Sequence, residues 1–338
     1  MPDHPKVISE KPAVHTLWLD TSVVIKFTKI ARGEGLQQIE IDRLTRLRNL
    51  VQELVPAGKL LCPQADQEEE YVAERLDREV HGDFLVLSLG IGMRHRQGIF
   101  DWQAQLGMKA YVQQADSIHV SLDSYFYSNP VEELGKARQR NIVIGGYLIR
   151  DPEILMRREA AKIEVVKTWE QLRQEFVANR KTYEQQLQDE QRGYADALVY
   201  KIEEFDKKII AGVSNFWDFM DVQGFLMYRL YWRELGGKPE GREGVHAFFC
   251  SSYFNYLPVP RIHGQLGADL LTGNQPILSG DPMDVELLSV AVPVSHFVLT
   301  DRRMSERLKR LGIDQEWRTE VYSMSDIDTL FERLERLR

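Results

Sequence analysis

The sequence predicts an α/β fold in which a central parallel sheet is interrupted by a large, mostly helical insertion. Short apolar runs near both ends of the chain stop at an aspartate, at residues 17–20 and 297–301. Such runs are typical of buried strands in parallel sheets, and the aspartates then lie at the carboxyl edge of the sheet. Between the two ends, apolar residues recur every three to four positions, which is the helical period.

Residues 14–81 predict the first part of the sheet. Residues 17–19 form the first predicted strand, and a helix follows with Val23, Val24 and Phe27 on one face before Gly33 ends it. A second helix is predicted over 36–55 and a second strand over 59–62. Strand, helices and strand in this order indicate a parallel βαβ unit. An acidic helix start follows at 66–70.

Residues 276–338 predict the rest of the same domain. Helices over 284–291, 305–311 and 326–337 alternate with strands over 296–300 and 320–322. We therefore expect the two ends of the chain to form one α/β domain, with residues 82–275 inserted between them.

The insertion is predicted to contain a long helical hairpin. Large apolar side chains follow helical spacing from Val165 to Leu187 and again from Leu198 to Met220. Gly193 separates the two series, and we place the turn there. Each arm would extend on the order of 55 Å at the helical rise, and residues 236–241 give the clearest loop.

Composition narrows the classes of function. The chain has 338 residues, of which 43% are hydrophobic, and a formal net charge of −8. This charge argues against a protein with a positive surface all round, as non-specific nucleic-acid binding requires. Two cysteines, Cys62 and Cys250, are too few for a disulfide framework or a four-cysteine zinc site.

Motifs of several enzyme classes are absent from the sequence. It contains no HExxH, Walker, GxGxxG or GxSxG pattern, which weakens the zinc-hydrolase, NTPase, dinucleotide-binding and serine-hydrolase interpretations. Residues 1–14 lack an apolar segment of signal-peptide length, and no run approaches a membrane span. We therefore expect a cytoplasmic protein that needs no membrane.

The acidic strand ends resemble the PIN family of metal-dependent nucleases. Members of this family open with an apolar strand that ends in an aspartate and a small hydroxyl residue, as Asp20 and Thr21 do here. They carry an aspartate seven residues before a small residue in a later helix, which Asp284 and Ala291 match, and then a strand that closes on an aspartate, here Asp301. The resemblance covers about 20–80 and 276–325 and implies a three-layer α/β/α domain around the parallel sheet.

The family also carries a glutamate near the start of the helix after the second strand. Glu68, Glu69 and Glu70 all compete for this position. Glu70 matches best if Tyr71 and Val72 face the core, and a shift of one residue would select Glu69. Asp66 and Glu68 could instead serve as partners of the helix dipole.

The resemblance implies that Asp20, Glu70, Asp284 and Asp301 are catalytic and bind one or two Mg²⁺ or Mn²⁺ ions. Hard oxygen ligands suit these cations, which lower the pKa of bound water and neutralise phosphate. We therefore expect hydrolysis of phosphodiester bonds, in RNA in preference to DNA. Because carboxylates gathered without a metal repel one another, at least one should have a raised pKa.

Five further residues belong to the predicted site. Asp281 precedes Pro282, so we interpret it first as a helix cap and second as a metal ligand. The hydroxyls of Ser22 and Thr300 are candidates for contact with water or phosphate, although a role in the turns fits equally well. Arg302 and Arg303 follow the last aspartate and are the best-placed cations for phosphate.

Two other interpretations remain open. The chain could be a catalytically silent PIN-like module that binds nucleic acid, a protein partner or a second copy through its helical insertion, which the acidic composition favours. It could also be a phosphatase with Asp20 as nucleophile, but such enzymes usually place a second aspartate two residues later, where Ser22 stands.

Overall fold

The computed structural model describes residues 4–67, 77–140, 152–213 and 215–338. The chain divides into two compact units. Unit 1 contains the described parts of Met1–Ile8, Phe100–Val120 and Arg173–Gln275, and unit 2 contains those of Ser9–Ile99, Ser121–Leu172 and Pro276–Arg338.

The described chain contains six strands in two parallel sheets. They are β1 (Lys6–Ser9), β2 (His15–Leu19), β3 (Leu60–Leu61), β4 (Ser117–Val120), β5 (Phe297–Leu299) and β6 (Glu320–Tyr322). The larger sheet has the order β3-β2-β5-β6, and β1 pairs with β4 in the smaller one.

Helices make up most of the described chain. In order, they are α1 (Thr21–Arg32), α2 (Gln38–Leu54), α3 (Asp77–Ser88), α4 (Arg96–Gln113), α5 (Pro130–Arg140), α6 (Pro152–Ala178), α7 (Tyr183–Ile210), α8 (Phe216–Glu234), α9 (Arg242–Phe249), α10 (Ser252–Asn255), α11 (Pro258–Thr272), α12 (Asp281–Ala291), α13 (Arg302–Arg310), α14 (Ile313–Glu316) and α15 (Ile327–Glu335). Within the described ranges, no helix is long and apolar enough to cross a membrane.

The four-stranded sheet joins the two ends of the chain, as the sequence predicts. β2 pairs with β5 in parallel, with Leu17 opposite Phe297 and Leu19 opposite Leu299. β5 in turn pairs with β6, and β2 pairs with β3 on its other side. Because every residue of β5 and four of the five of β2 are buried, these strands form the core of unit 2.

Local signals explain where α1 begins and ends. The Asp20 side chain accepts a hydrogen bond from the Ser22 backbone N–H and caps the helix. Val23, Val24 and Phe27 are buried and lie on the face that packs against α2 and α3. Gly33 ends the helix with φ of 70°, a left-handed conformation that glycine adopts without strain.

Two predicted helix boundaries are wrong. The turn expected at Gly193 lies instead at residues 179–182, and Gly193 is inside α7, since a single glycine does not stop a helix that packs along its length. Thr182 starts α7 with a capping box, because its hydroxyl accepts from the Gln185 N–H and the Gln185 side chain accepts from the Thr182 N–H. α12 begins at Asp281, three residues before the predicted start, with Pro282 in its first turn.

The predicted insertion, residues 82–275, contributes to both units. The described parts of 82–99 and 121–172 belong to unit 2, and those of 100–120 and 173–275 belong to unit 1. In unit 1, α7 packs against α8, α9 and α11. Trp232, Phe248, Phe249 and Phe254 are buried there, so these aromatic residues form a core.

Candidate functional site

Asp20 lies at the carboxyl end of β2, where the strand passes into α1. Its backbone N–H donates to the Leu299 carbonyl of β5 at 2.9 Å. The carboxylate is 6% exposed, and both of its oxygens accept hydrogen bonds: Oδ1 from the Ser22 N–H at 2.8 Å and Oδ2 from the Thr300 hydroxyl at 3.1 Å. The two predicted strand ends are therefore joined through Asp20 and Thr300.

Asp301 follows β5 on the same edge and caps α13. Its Oδ1 accepts from the backbone N–H groups of Arg303 at 2.6 Å and Met304 at 3.2 Å. Its Oδ2 accepts no hydrogen bond from any residue of the described ranges. One carboxylate oxygen of Asp301 is therefore available to a ligand.

The charges of Asp20 and Asp301 act on each other. Burial raises the pKa of Asp20, and the negative charge of Asp301 raises it further, while the hydrogen bonds from Ser22 and Thr300 oppose the shift. The expectation that at least one carboxylate has a raised pKa is met, but the main cause is burial and repulsion is secondary.

Asp281 is buried at the start of α12 and holds the preceding loop. Its Oδ2 accepts from the Leu278 N–H at 2.6 Å and lies 3.5 Å from Arg303 Nη2. Burial raises the pKa of Asp281 and Asp301 adds to the rise, whereas the Leu278 hydrogen bond and the cations Arg303 and Arg307 lower it. The side chain thus stabilises the loop before its own helix instead of bonding the following amides as an N-cap would.

Arg303 contacts the acidic groups, whereas Arg302 faces solvent. Arg303 Nη2 donates to the Pro276 carbonyl at 3.1 Å, and its Nε is buried without a hydrogen-bond partner in the described chain. The Arg302 side chain is 77% exposed and pairs with Glu306 at 2.7 Å. Of these two arginines, Arg303 is therefore the one that lies beside the buried Asp281.

Asp284 is half-buried on α12, and its backbone N–H donates to the Gly280 carbonyl. Its Oδ2 lies 3.5 Å from the point that a Cβ on residue 280 would occupy, which is an ordinary contact distance. The candidates Glu68, Glu69 and Glu70 lie outside the described residues. The choice among them stays a prediction.

Two residues just before the acidic stretch have roles that the sequence does not reveal. Gln67 is fully buried; its Nε2 donates to the Leu19 carbonyl at 2.5 Å, and its Oε1 accepts from the Ala65 N–H at 3.0 Å. Asp66 accepts from the Arg96 N–H at 2.6 Å, at the start of α4. No pattern in the sequence marks Gln67 or predicts that Asp66 contacts the start of α4.

The side chains at this edge suit a hard divalent cation in their chemistry but do not complete a site. Asp20 and Asp301 offer carboxylate oxygens, the ligands that Mg²⁺ and Mn²⁺ prefer. Among residues 4–67, 77–140, 152–213 and 215–338, however, no three histidine, cysteine or acidic side chains form a group that could hold a metal. Asp20, Asp284 and Asp301, all of which lie in these ranges, are therefore not brought together as a three-ligand group.

Comparisons of the chain with protein-family models, with curated proteins and with solved structures gave no match.

Proposed function

We propose that this protein is a PIN-like, metal-dependent nuclease that hydrolyses phosphodiester bonds, with RNA as the expected substrate. The observation that carries the proposal is the pair Asp20 and Asp301, two carboxylates placed by adjacent parallel strands so that the charge of one raises the pKa of the other. Capping α1 and α13 does not require the two caps to lie within range of each other's charge. Mutual approach of two buried or half-buried acids costs free energy, which a bound cation would offset.

Asp20 and Asp301 would hold the cation together with Asp284 and one acid of residues 68–70, for which Glu70 is the first choice. When bound, Mg²⁺ or Mn²⁺ would activate water and neutralise the scissile phosphate. Thr300 orients the Asp20 carboxylate through its hydroxyl. Arg303 has a buried Nε without a partner in the described chain, and this donor suits a phosphate oxygen.

Substitution of Asp20 by asparagine tests the proposal. Asp20→Asn keeps an oxygen that can accept from the Ser22 N–H but removes the charge. We expect the unmodified protein to melt at a higher temperature in Mn²⁺ than in chelator and to degrade RNA only with metal. Asp20→Asn should lose both the metal response and the cleavage.

The matched control is Asp83→Asn. Asp83 is also poorly exposed in unit 2 and also accepts from a threonine hydroxyl, Thr28 at 2.8 Å, but it pairs with Arg48 and is not one of the predicted acids. This variant should keep the metal response. An Asp20→Asn protein that responds to Mn²⁺ as the unmodified protein does would refute the metal site.

A catalytically silent PIN-like module is the second candidate function. It is favoured by the hydrogen bonds that already occupy both oxygens of Asp20, and by the lack of a three-ligand group among the described residues. RNA or DNA binding that needs no Mn²⁺, survives in Asp20→Asn and leads to no cleavage would decide for this module.

A further inference from the structure

The carbonyl of Leu19, the residue before Asp20, lies beyond the end of the neighbouring strand β3. β3 pairs with β2 only at His15 and Thr16, and it ends at Leu61. Alternate residues of a strand direct their backbone groups to opposite neighbours. Because the Asp20 N–H donates to Leu299 on the β5 side, the Leu19 carbonyl faces the side where β3 has already ended.

The side chain of Gln67 takes the place of the missing strand. Its Nε2 donates to the Leu19 carbonyl at 2.5 Å, and its Oε1 accepts from the Ala65 N–H at 3.0 Å. The side chain is fully buried. A primary amide is needed here, since one end must donate and the other accept.

Residues 64–67 are themselves fixed to unit 2 on their other side. Gln64 accepts from the Met93 N–H and donates its own N–H to the Ile91 carbonyl. Asp66 accepts from the Arg96 N–H, and Arg96 Nε lies 2.5 Å from Glu286 of α12, the helix that carries Asp284. Gln67 therefore connects the end of β2 to a segment that is anchored to α4 and, through Arg96, to α12.

We propose that Gln67 is a positioning residue, which holds the Leu19–Asp20 peptide so that the Asp20 carboxylate faces Asp301 and Thr300. The proposal rests on the proposed function in so far as Asp20 is a metal ligand. Gln67 touches no substrate and acts through Asp20. In the sequence it also directly precedes the three candidate acids.

The test compares Gln67→Met with Gln103→Met. Methionine keeps the unbranched shape and removes the amide. Gln103 is the matched control, since it is equally buried, belongs to unit 1 and accepts from the Val259 N–H at 3.0 Å. Hydrogen exchange of backbone amides is measured in chelator, and Mn²⁺ binding is measured by calorimetry.

We expect the amides of Asp20 and Ser22 to exchange about tenfold faster in Gln67→Met, because a buried carbonyl is left unpaired, with no such change in Gln103→Met. The Mn²⁺ affinity should fall about tenfold or more in Gln67→Met alone, as it does when groups that orient a ligand are removed. Unchanged exchange at Asp20 and Ser22 would overturn the positioning role.

The two proposals fail in different ways. Faster exchange in Gln67→Met, in a protein that binds no Mn²⁺, supports the positioning role and refutes the metal site. Mn²⁺ binding that depends on Asp20, with exchange unchanged in Gln67→Met, supports the metal site and refutes the positioning role. If Gln67→Met does not fold, the side-chain amide protons of Gln67 in the unmodified protein decide: exchange as fast as that of an exposed glutamine contradicts the proposal.

Discussion

The two edges of the four-stranded sheet hold titratable groups of opposite charge. At the carboxyl edge, Asp20 and Asp301 approach each other and the pKa of Asp20 is raised. At the amino edge, Lys11, His15 and His296 gather, and burial lowers the pKa of Lys11 to about 7 and that of His296 to about 4. At both edges, the charged form of these groups opposes folding. Low pH neutralises the carboxylates of the carboxyl edge, whereas high pH neutralises the basic groups of the amino edge.

The polar groups described below for the amino edge have hydrogen-bond partners, whereas two polar atoms at the carboxyl edge have none in the described chain. The Lys11 ammonium donates to the carbonyls of Ser295 and Arg318 and to the Thr319 hydroxyl. His296 Nδ1 accepts from the Thr16 N–H at 3.1 Å. At the carboxyl edge, Asp301 Oδ2 and Arg303 Nε find no partner in the described chain. The contrast fits a structural role for the first edge and agrees with the ligand that we propose for the second.

The largest expected effect is the alkaline response of Lys11. Because folding lowers its pKa from 10.5 to about 7, the folded protein binds fewer protons than the unfolded chain between these values. The free energy of unfolding should therefore rise from pH 7 to 10.5, by about 3 kcal/mol once solvent screening is allowed for. Urea unfolding at several pH values measures this rise.

Lys11→Met is the control for that response. The variant cannot titrate, so its free energy of unfolding should lack the rise, although it loses hydrogen bonds to two carbonyls. A rise of the same size in both proteins would show that Lys11 is not the group responsible.

His296 should give the next largest effect, on the acid side. Its pKa is lowered from 6.5 to about 4, so the folded protein binds fewer protons across this window and the free energy of unfolding should fall as the pH falls through it. We expect a loss of about 2 kcal/mol, reduced from the full linkage by solvent screening.

His296→Asn separates this titration from the rest of the edge. Asparagine keeps an oxygen that can accept from the Thr16 N–H but has no charge change near pH 6. The slope of unfolding free energy between pH 6.5 and 4 should flatten. An unaltered slope would assign the acid response to other groups.

At the carboxyl edge, the charge of Asp20 should lower the free energy of unfolding at neutral pH, and Asp20→Asn removes this charge. A raised pKa means that stability falls as the pH rises above 3.8 through the folded value. In chelator at pH 7, the asparagine protein should therefore be more stable than the unmodified protein. Asp83→Asn, which breaks the pair with Arg48, should be less stable, and equal destabilisation of both would contradict a raised pKa for Asp20.

The smallest effect is expected from Arg302→Gln. Arg302 lies at the same edge but is exposed, and an exposed pair such as that with Glu306 contributes little to the free energy of unfolding. Its thermal unfolding should match that of the unmodified protein. A larger loss would mean that exposed charge also matters at this edge.

Patterns local in sequence predicted the four strands of the larger sheet and the possible capping role of Asp20, but they did not predict β1 and β4. β6 has the predicted bounds, and Gly33 ends α1 as expected, because a strand or a helix end is encoded by neighbouring residues. The turn at Gly193 was wrong because packing of α7 outweighs the preference of one glycine. Asp20, Asp301 and Thr300 are near each other because the register of β2 and β5 brings them there.

Other site contacts depend on where distant elements end. Gln67 can bond the Leu19 carbonyl because β3 stops at Leu61. Lys11 is largely shielded from solvent because the segment before β5 and the segment before β6 both contact it. Neither fact is visible in the residues around Gln67 or Lys11. The acid among Glu68, Glu69 and Glu70 depends on a helix register that the sequence pattern leaves open.

The contact between Asp20 and Thr300 has a consequence for synthesis of the protein. The two residues are 280 positions apart, so the ribosome has to add all the intervening residues before β5 can pair with β2. At a synthesis rate of roughly 5–20 residues per second, the edge of β2 that pairs with β5 stays unpaired for some tens of seconds. During that time its apolar residues are exposed to other chains, and a chaperone that covers short apolar segments would find its target in Leu17, Trp18 and Leu19.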